Sequence, residues 1–393
     1  MHAMTPRERI VAALSHQSTD VVPFDFGGTN VTSINVGAYE NLKAVLGIKE
    51  PTRWAYYIGQ IPLIPEDVLR FFGGDVRYVH IPYPEPMPGE LTRPVQVDEW
   101  GIEWTQGPTG LFYVGRPPLA GADSPSDLAR FSWPDPAVQA SAAGLAKAAR
   151  RLRRETDCAV CLHLPAGIVH MTQNLRGFEN WLIDVTSNVS FAEALLERVT
   201  ENYLSTLELL LPAVGEDVDL MLIPDDFGVQ NGPLISPPTY RRLIKPRHAR
   251  ILDAIRAHSA AKVLFHCCGS VYWALGDLVD IGIDGLNPVQ TSAADMEPAR
   301  LKREFGRHVC FWGGIDTQHT LPYGSSGHVR QEVRQRIEQL ADGGGYVISA
   351  VHNILGEVPP GNVLAMAEAA HRFGGRSDGG RFRVGAANRR NSA

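Results

Sequence analysis

No apolar run in the 393 residues approaches the roughly 20 needed to cross a bilayer. No surplus of positive charge exists either, since the formal net charge is -6. The chain as a whole therefore offers no electrostatic case for nucleic-acid binding. The opening stretch, "MHAMTPRERI", is charged and lacks the apolar segment of a secretory signal, so a cytoplasmic protein is expected. Cysteine is scarce. There are five, an odd number, and a chain of this length needs no disulfide staples to hold a core. Cys158 and Cys161 have CxxC spacing, but they lie in the apolar run "CAVCLHL" and read as packed strand residues rather than a redox or metal pair. No GxGxxG follows the first strand-like segment, which counts against a dinucleotide-binding sheet.

What is present is a repeating order of segments. From about residue 136, short apolar runs ("CAVCLHL", "VDLMLIPDD", "KVLFHCC", "IDGLNPV", "HVCFWGG", "GYVISAV") alternate with stretches of helical periodicity such as "SFAEALLERVTENYLSTLELLL" and "PPGNVLAMAEAAHRF". That alternation predicts parallel strands joined by crossover helices. With "VVPFDF" and "DVRYVHI" the strands number about eight, which predicts a single-domain (β/α)8 TIM barrel over residues 1–373. An open doubly wound sheet is the alternative. Thr5, Pro6 and Glu8 predict a helix opened by a capping box. Residues 50–135 are rich in proline and aromatics and read as an irregular N-terminal elaboration, with a hairpin at "VDEWGIEWTQG". Residues 374–393 read as a disordered tail.

In such barrels the chemistry lies at the C-terminal ends of the strands. Polar residues recur at those ends: Asp25, His163, Asp225, Asp226, His266, Cys268, Asn287, Gln290, Asp316, His352 and Asn353. In "FHCCGS" the period of two puts His266 and Cys268 on one face and Cys267 on the other. An H-x-C pair can grip one metal ion, and His352, at the end of the last strand, is the candidate third ligand. A core histidine beside a packed thiol stays open on spacing alone.

The segments "TPRERIVAALSHQSTDVVPFDFGG", "DDFGVQNGPLISPPTYRRLIKPRH", "LFHCCGSV", "DGLNPVQ", "FWGGIDTQ" and "VHNILGEVPPGNVLAM" resemble the uroporphyrinogen decarboxylase superfamily. The resemblance implies a (β/α)8 barrel and one of two chemistries, cofactor-free decarboxylation or zinc-dependent methyl transfer in corrinoid systems. The methyltransferases carry an H-x-C pair, matched here by His266 and Cys268. Their third zinc ligand is a Cys ahead of an Asn in a "TPxEN" segment. Here His352 holds the Cys place and Asn362 the Asn place, so the chain departs from the pattern by exchanging Cys for His. The decarboxylases meet a substrate with eight carboxylates through an Arg-rich segment after the first strand. The matching segment here, "PFDFGGTNVTSINVGAYENL", has no arginine. The resemblance thus implies a corrinoid-dependent methyltransferase with Zn2+, demethylating a small O- or N-methyl compound and passing the methyl group to a corrinoid protein. A decarboxylase or lyase, and a non-catalytic zinc- or corrinoid-partner-binding barrel, are the alternatives. Asp226 and Asp316 are the candidate catalytic carboxylates. Gln290, Asn353, His163 and Asp225 are candidate substrate contacts. Trp54, Tyr56 and Tyr57 offer an aromatic wall, with core packing as the alternative. A homodimer is an open option.

Overall fold

A computed structural model describes residues 3–81 and 87–376. Seven parallel strands form one sheet: β1 (Val76–Val79), β2 (Ala159–His163), β3 (Leu220–Pro224), β4 (Lys262–His266), β5 (Gly285–Asn287), β6 (Cys310–Ile315) and β7 (Tyr346–Ala350). Their order in space is their order in the chain. Each neighbour pair is therefore joined by a helical crossover, as the alternation predicts.

The strand expected at "VVPFDF" is reduced to a single bridge, Phe24 to Ile348. Pro23 has no N–H to give, so a longer ladder is interrupted there. The segment still reaches both edges of the sheet. Pro23 O accepts from Ile348 N (3.0 Å), and Asp25 N donates to Ile348 O (2.9 Å). On its other side Phe24 O accepts from Asp75 N, beside β1 (2.8 Å).

Strand alternation divides the core in two. One set of strand residues, including Leu222, Leu264, Trp312 and Val347, packs together with Ile10 and Leu14 of α1 (Pro6–Leu14). The alternate set, including Ile223, Phe265, Phe311 and Ile348, packs against the crossover helices. Helix α1 opens with the capping box expected at Thr5 and Glu8. Cys161 belongs to the inner set, and both it and Cys158 are buried and free, so the CxxC spacing is packing.

Residues 50–135 are more regular than expected. They hold a short hairpin (Trp54–Tyr56 with Ile61–Pro62), a helix (Glu66–Phe72), β1, and a three-stranded antiparallel sheet (Val95–Val97, Glu103–Gln106, Phe112–Arg116). The expected hairpin is the first pair of that sheet. Prolines and short strands hid this order, because strands of three to five residues give little periodicity to read. The stretch expected to be a disordered tail enters the described residues only at Gly374–Arg376. There Arg376 bonds to Gly73 O and pairs with the buried Asp75. Residues 377–393 lie outside the described residues. Among the described residues no helix is long and apolar enough to cross a membrane.

Candidate metal centre

The alternation of β4 continues past its last residue. Leu264, His266 and Cys268 face inward, while Val263, Phe265 and Cys267 face the helices. Cys267 is fully buried there, its sulfur accepting from Phe227 N (3.3 Å). The chain then turns at Gly269, whose φ is +87°, with Val229 backbone 2.9 Å from where a Cβ would stand. A side chain at that position meets both strain and collision.

His266 pairs in register with Asn287 at the end of β5. Its Nδ1–H donates to Asn287 Oδ1 (2.6 Å), which leaves the Nε2 lone pair facing Cys268 Sγ at 3.4 Å. His352, just beyond β7, sets its ring 5.5 Å from that of His266. The ligand atoms of His266, Cys268 and His352 all lie within 4.8 Å of one another. Bond lengths of about 2.0 Å to nitrogen and 2.3 Å to sulfur give tetrahedral zinc N···S edges of roughly 3.5 Å. The observed 3.4 Å between Nε2 and Sγ fits that geometry. Burial holds His266 below its usual value, and burial together with the neighbouring His266 ring lowers His352 to about 4. Both imidazoles are therefore neutral, with lone pairs to give. Burial and the charge of Asp226 push the Cys268 thiol up, a situation that a dication in the site reverses. Asn287→Ala is expected to leave the fold intact but lower zinc affinity roughly 10–100-fold, because the ring loses the acceptor that orients it. Competitive chelator titration checks this, and unchanged affinity contradicts the orienting role.

Asp225 and Asp226 point in opposite directions. Asp226 Oδ1 accepts from Cys268 N (2.6 Å), and its Oδ2 lies 3.4 Å from His170 Nε2. Burial opposes charge on His170, but Asp226 and Asp225 outweigh it and raise the imidazole to about 9. Burial likewise opposes charge on Asp226, yet His170, His266 and the Cys268 amide hold it well below the usual carboxylate range. Asp225 faces away. It is fully buried and accepts from Val169 N (3.0 Å), His170 N (2.9 Å) and His248 Nε2 (2.8 Å). These bonds cap α2 (Ile168–Arg176), the helix that carries His170. Asp225, expected from sequence as a substrate contact, here holds the start of α2 and the His248 ring. Gly167 permits it, since a Cβ there would stand 2.3 Å from the Asp225 carboxyl carbon.

The remaining candidates are dispersed. Gln290 Oε1 accepts from Gly269 N (2.7 Å) and its amide donates to Gln230 Oε1 (2.9 Å), so both ends hold loops. Asn353 Oδ1 accepts from Ser33 N (2.9 Å). Asp316 accepts from Gln318 N (2.6 Å) and His319 N (3.3 Å), and its other oxygen is 3.0 Å from His319 Nδ1. It lines a surface cavity with His328, Glu332 and Arg336 that includes none of the three candidate ligands. Asp316 thus caps the turn after β6. Asn362 bonds to Leu321 O, Gly324 O and Ser326, not to His352.

His163 sits with His170 on the wall of a cavity of ≈ 540 Å³, which likewise includes none of the three candidate ligands. Burial and the nearby His266 lower His163 to about 3, and its Nδ1 is buried without a partner. Tyr56, Tyr78, Val31 and Leu145 line the same cavity. Of the aromatic trio, Tyr56 is the member that lines it, while Trp54 packs edge-on against Tyr57. Sequence reasoning missed His170, whose only signal was a histidine in the first turn of the helix after β2.

The Uroporphyrinogen decarboxylase (URO-D) family model matches residues 114–373. Uroporphyrinogen decarboxylase of Methylococcus capsulatus is 24% identical over 285 residues, covering 70% of this chain and 74% of that protein. Methylcobamide:CoM methyltransferase MtaA of Methanosarcina barkeri is 26% identical over 200 residues, covering 51% of this chain and 53% of its own length. A solved methyltransferase from Methanosarcina mazei shares the fold, with a TM-score of 0.63 over 94% of this chain and 99% of that one at 21% identity. The family match spans most of the sheet and all three candidate ligands, and on it this chain belongs to the uroporphyrinogen decarboxylase family.

Proposed function

We propose that the protein is a zinc-dependent methyltransferase that takes the methyl group from a small O- or N-methyl compound and delivers it to Co(I) of a corrinoid on a separate protein. The observation that carries this is the convergence of His266, Cys268 and His352 at the strand ends. We read the fold as a single-domain (β/α)8 barrel over residues 1–373, with residues 23–25 acting as the eighth strand between β7 and β1. The likeness to a methylcobamide methyltransferase supports the corrinoid partner.

The overall reaction takes a methylated heteroatom, Co(I) and one proton to methyl-Co(III) and the protonated leaving group. Zinc held by the three residues supplies a Lewis acid for the departing heteroatom. Asn287 orients His266, and Asp226 holds a proton on His170 Nε2 at the edge of the cavity. We assign that imidazolium the role of supplying the proton that the departing heteroatom takes up. His163 offers a neutral imidazole to the bound compound.

The decarboxylase reading is weaker on charge grounds. Arg53, Arg77 and Arg151 line a second cavity, supplying cations that the segment after residue 25 lacks. Arg77 is already taken by Glu66 (2.8 and 3.1 Å) and Arg151 lies 4.0 Å from Glu155, so this cavity does not match eight carboxylates. The purified protein is expected to form methyl-Co(III) from a Co(I) corrinoid and a suitable donor, read from the corrinoid absorption spectrum. It is expected to leave uroporphyrinogen unchanged. Steady production of coproporphyrinogen would overturn the proposal.

A further inference from the structure

We propose that Asp25 is a positioning residue for the candidate ligand His352, acting through the loop of residues 27–35 that joins the two. This rests on the reading of His266, Cys268 and His352 as metal ligands and extends it to a residue outside the ligand set. His266 has Asn287 to orient its ring. His352 is placed by the backbone on either side of it. On one side Val351 N donates to Ile315 O at the end of β6 (2.9 Å). On the other side the loop holds Asn353 and Ile354. Ser33 N donates to Asn353 Oδ1 (2.9 Å), Ile354 N to Ser33 O (3.0 Å) and Asn35 N to Ile354 O (2.8 Å). Ile34 and Ile354 form a parallel bridge there. One of the two supports of His352 thus comes from a segment 320 residues away in the chain.

The shape of that loop depends on Asp25. The side chain is buried and accepts three hydrogen bonds. Gly28 N donates to Oδ1 (2.9 Å), while Thr32 Oγ1 (2.7 Å) and Trp312 Nε1 (3.0 Å) donate to Oδ2. Gly28 and Thr32 belong to the loop and Trp312 to β6, so the carboxylate fastens the loop to the sheet. Gly27 N donates to Thr32 O (3.0 Å), and Thr32 N donates to Thr29 Oγ1 (3.0 Å), which closes the turn. Gly28 makes the close approach possible, since a Cβ there would stand 2.5 Å from Val76 Cβ. Burial raises Asp25 to about 6 against the pull of its three donors, so it is a carboxylate at neutral pH. An apolar side chain of similar size would fill the same space without the cost of desolvating a charge. A buried carboxylate instead enforces one arrangement of its donors, because any other leaves it unpaired.

The test is a double-mutant cycle on zinc affinity, read by competitive chelator titration. Asp25→Asn keeps the shape but sets an NH2 group against the N–H of either Gly28 or Trp312. It is expected to lower zinc affinity roughly tenfold, the low end for outer partners of a metal ligand. In a His352→Ala background it is expected to change the affinity less than about twofold, since the loop then has no ligand to place. Loading with Co(II) adds a spectroscopic readout. Asp25→Asn is expected to shift the visible ligand-field bands of the wild type and to leave those of His352→Ala in place. Thr32→Val removes one donor and keeps the carboxylate. Its expected effect is a roughly threefold loss of zinc affinity with the same dependence on His352. That variant decides the matter where Asp25→Asn does not fold. Equal losses in both backgrounds, or a lower thermal midpoint with unchanged zinc affinity, overturn the proposal and leave Asp25 a core residue only. Unchanged zinc affinity on His352→Ala alone overturns the ligand reading, and this proposal with it. The two failures are therefore read from different variants.

Discussion

His266→Ala and Cys268→Ala are each expected to empty the zinc site and abolish methyl transfer, while Cys267→Ala keeps both. The three candidate ligands sit at or just beyond strand ends whose backbones are fixed by the sheet. Sharing an apparent zinc affinity of about 12 kcal/mol among three ligands makes each worth roughly 4 kcal/mol, or about a thousandfold. Such a loss puts the dissociation constant near a micromolar protein concentration, so dialysis strips the site. Cys267 is the internal control. It is adjacent in sequence, equally rich in sulfur, and buried on the opposite face against Phe227. Its replacement costs packing but no ligand. Zinc per chain by plasma emission spectroscopy, measured beside the thermal midpoint of each variant, separates metal loss from unfolding. Equal zinc in all three variants contradicts the ligand assignment.

His352→Cys is expected to keep zinc near the wild-type level and still slow demethylation by about tenfold or more. Thiolate is a good zinc ligand, so the site stays filled. The charge balance changes, however. A His/Cys/His set cancels one of the two metal charges, and a His/Cys/Cys set cancels both. The less positive centre polarises the donor heteroatom less. A tenfold fall needs only about 1.4 kcal/mol of barrier, small beside the several kcal/mol that a Lewis acid supplies. His352→Ala is expected to weaken zinc binding and activity together. X-ray absorption on the cysteine variant decides the point: two sulfur neighbours are expected where the wild type has one. A spectrum with one sulfur in both proteins means that His352 serves only to end its strand.

Period-two alternation is a local property, and the sequence alone carried it to the right result at His266, Cys267 and Cys268. Segment order did the same for the parallel sheet, because alternating strands and helices leave few ways to pack. The capping box at Thr5 was legible for the same reason, since its partners lie three residues apart. Adjacent aspartates were not legible. Asp225 and Asp226 look equivalent in "IPDDF", yet one caps α2 from full burial and the other faces the candidate metal centre. Only the docking of that helix against the strand end separates them. Asp316 reads as a rim carboxylate like Asp226, but the turn after β6 folds its oxygens onto its own backbone. His170 was invisible because its meaning depends on Asp226, a strand away. The arginines at 53, 77 and 151 lie in three unrelated segments, so the absence of arginine after residue 25 said nothing about the cations the fold would gather. Local spacing and element order were determined by the sequence itself. Which distant side chains share a space was decided by the crossovers, because curling the sheet brings strand ends together that the chain keeps far apart.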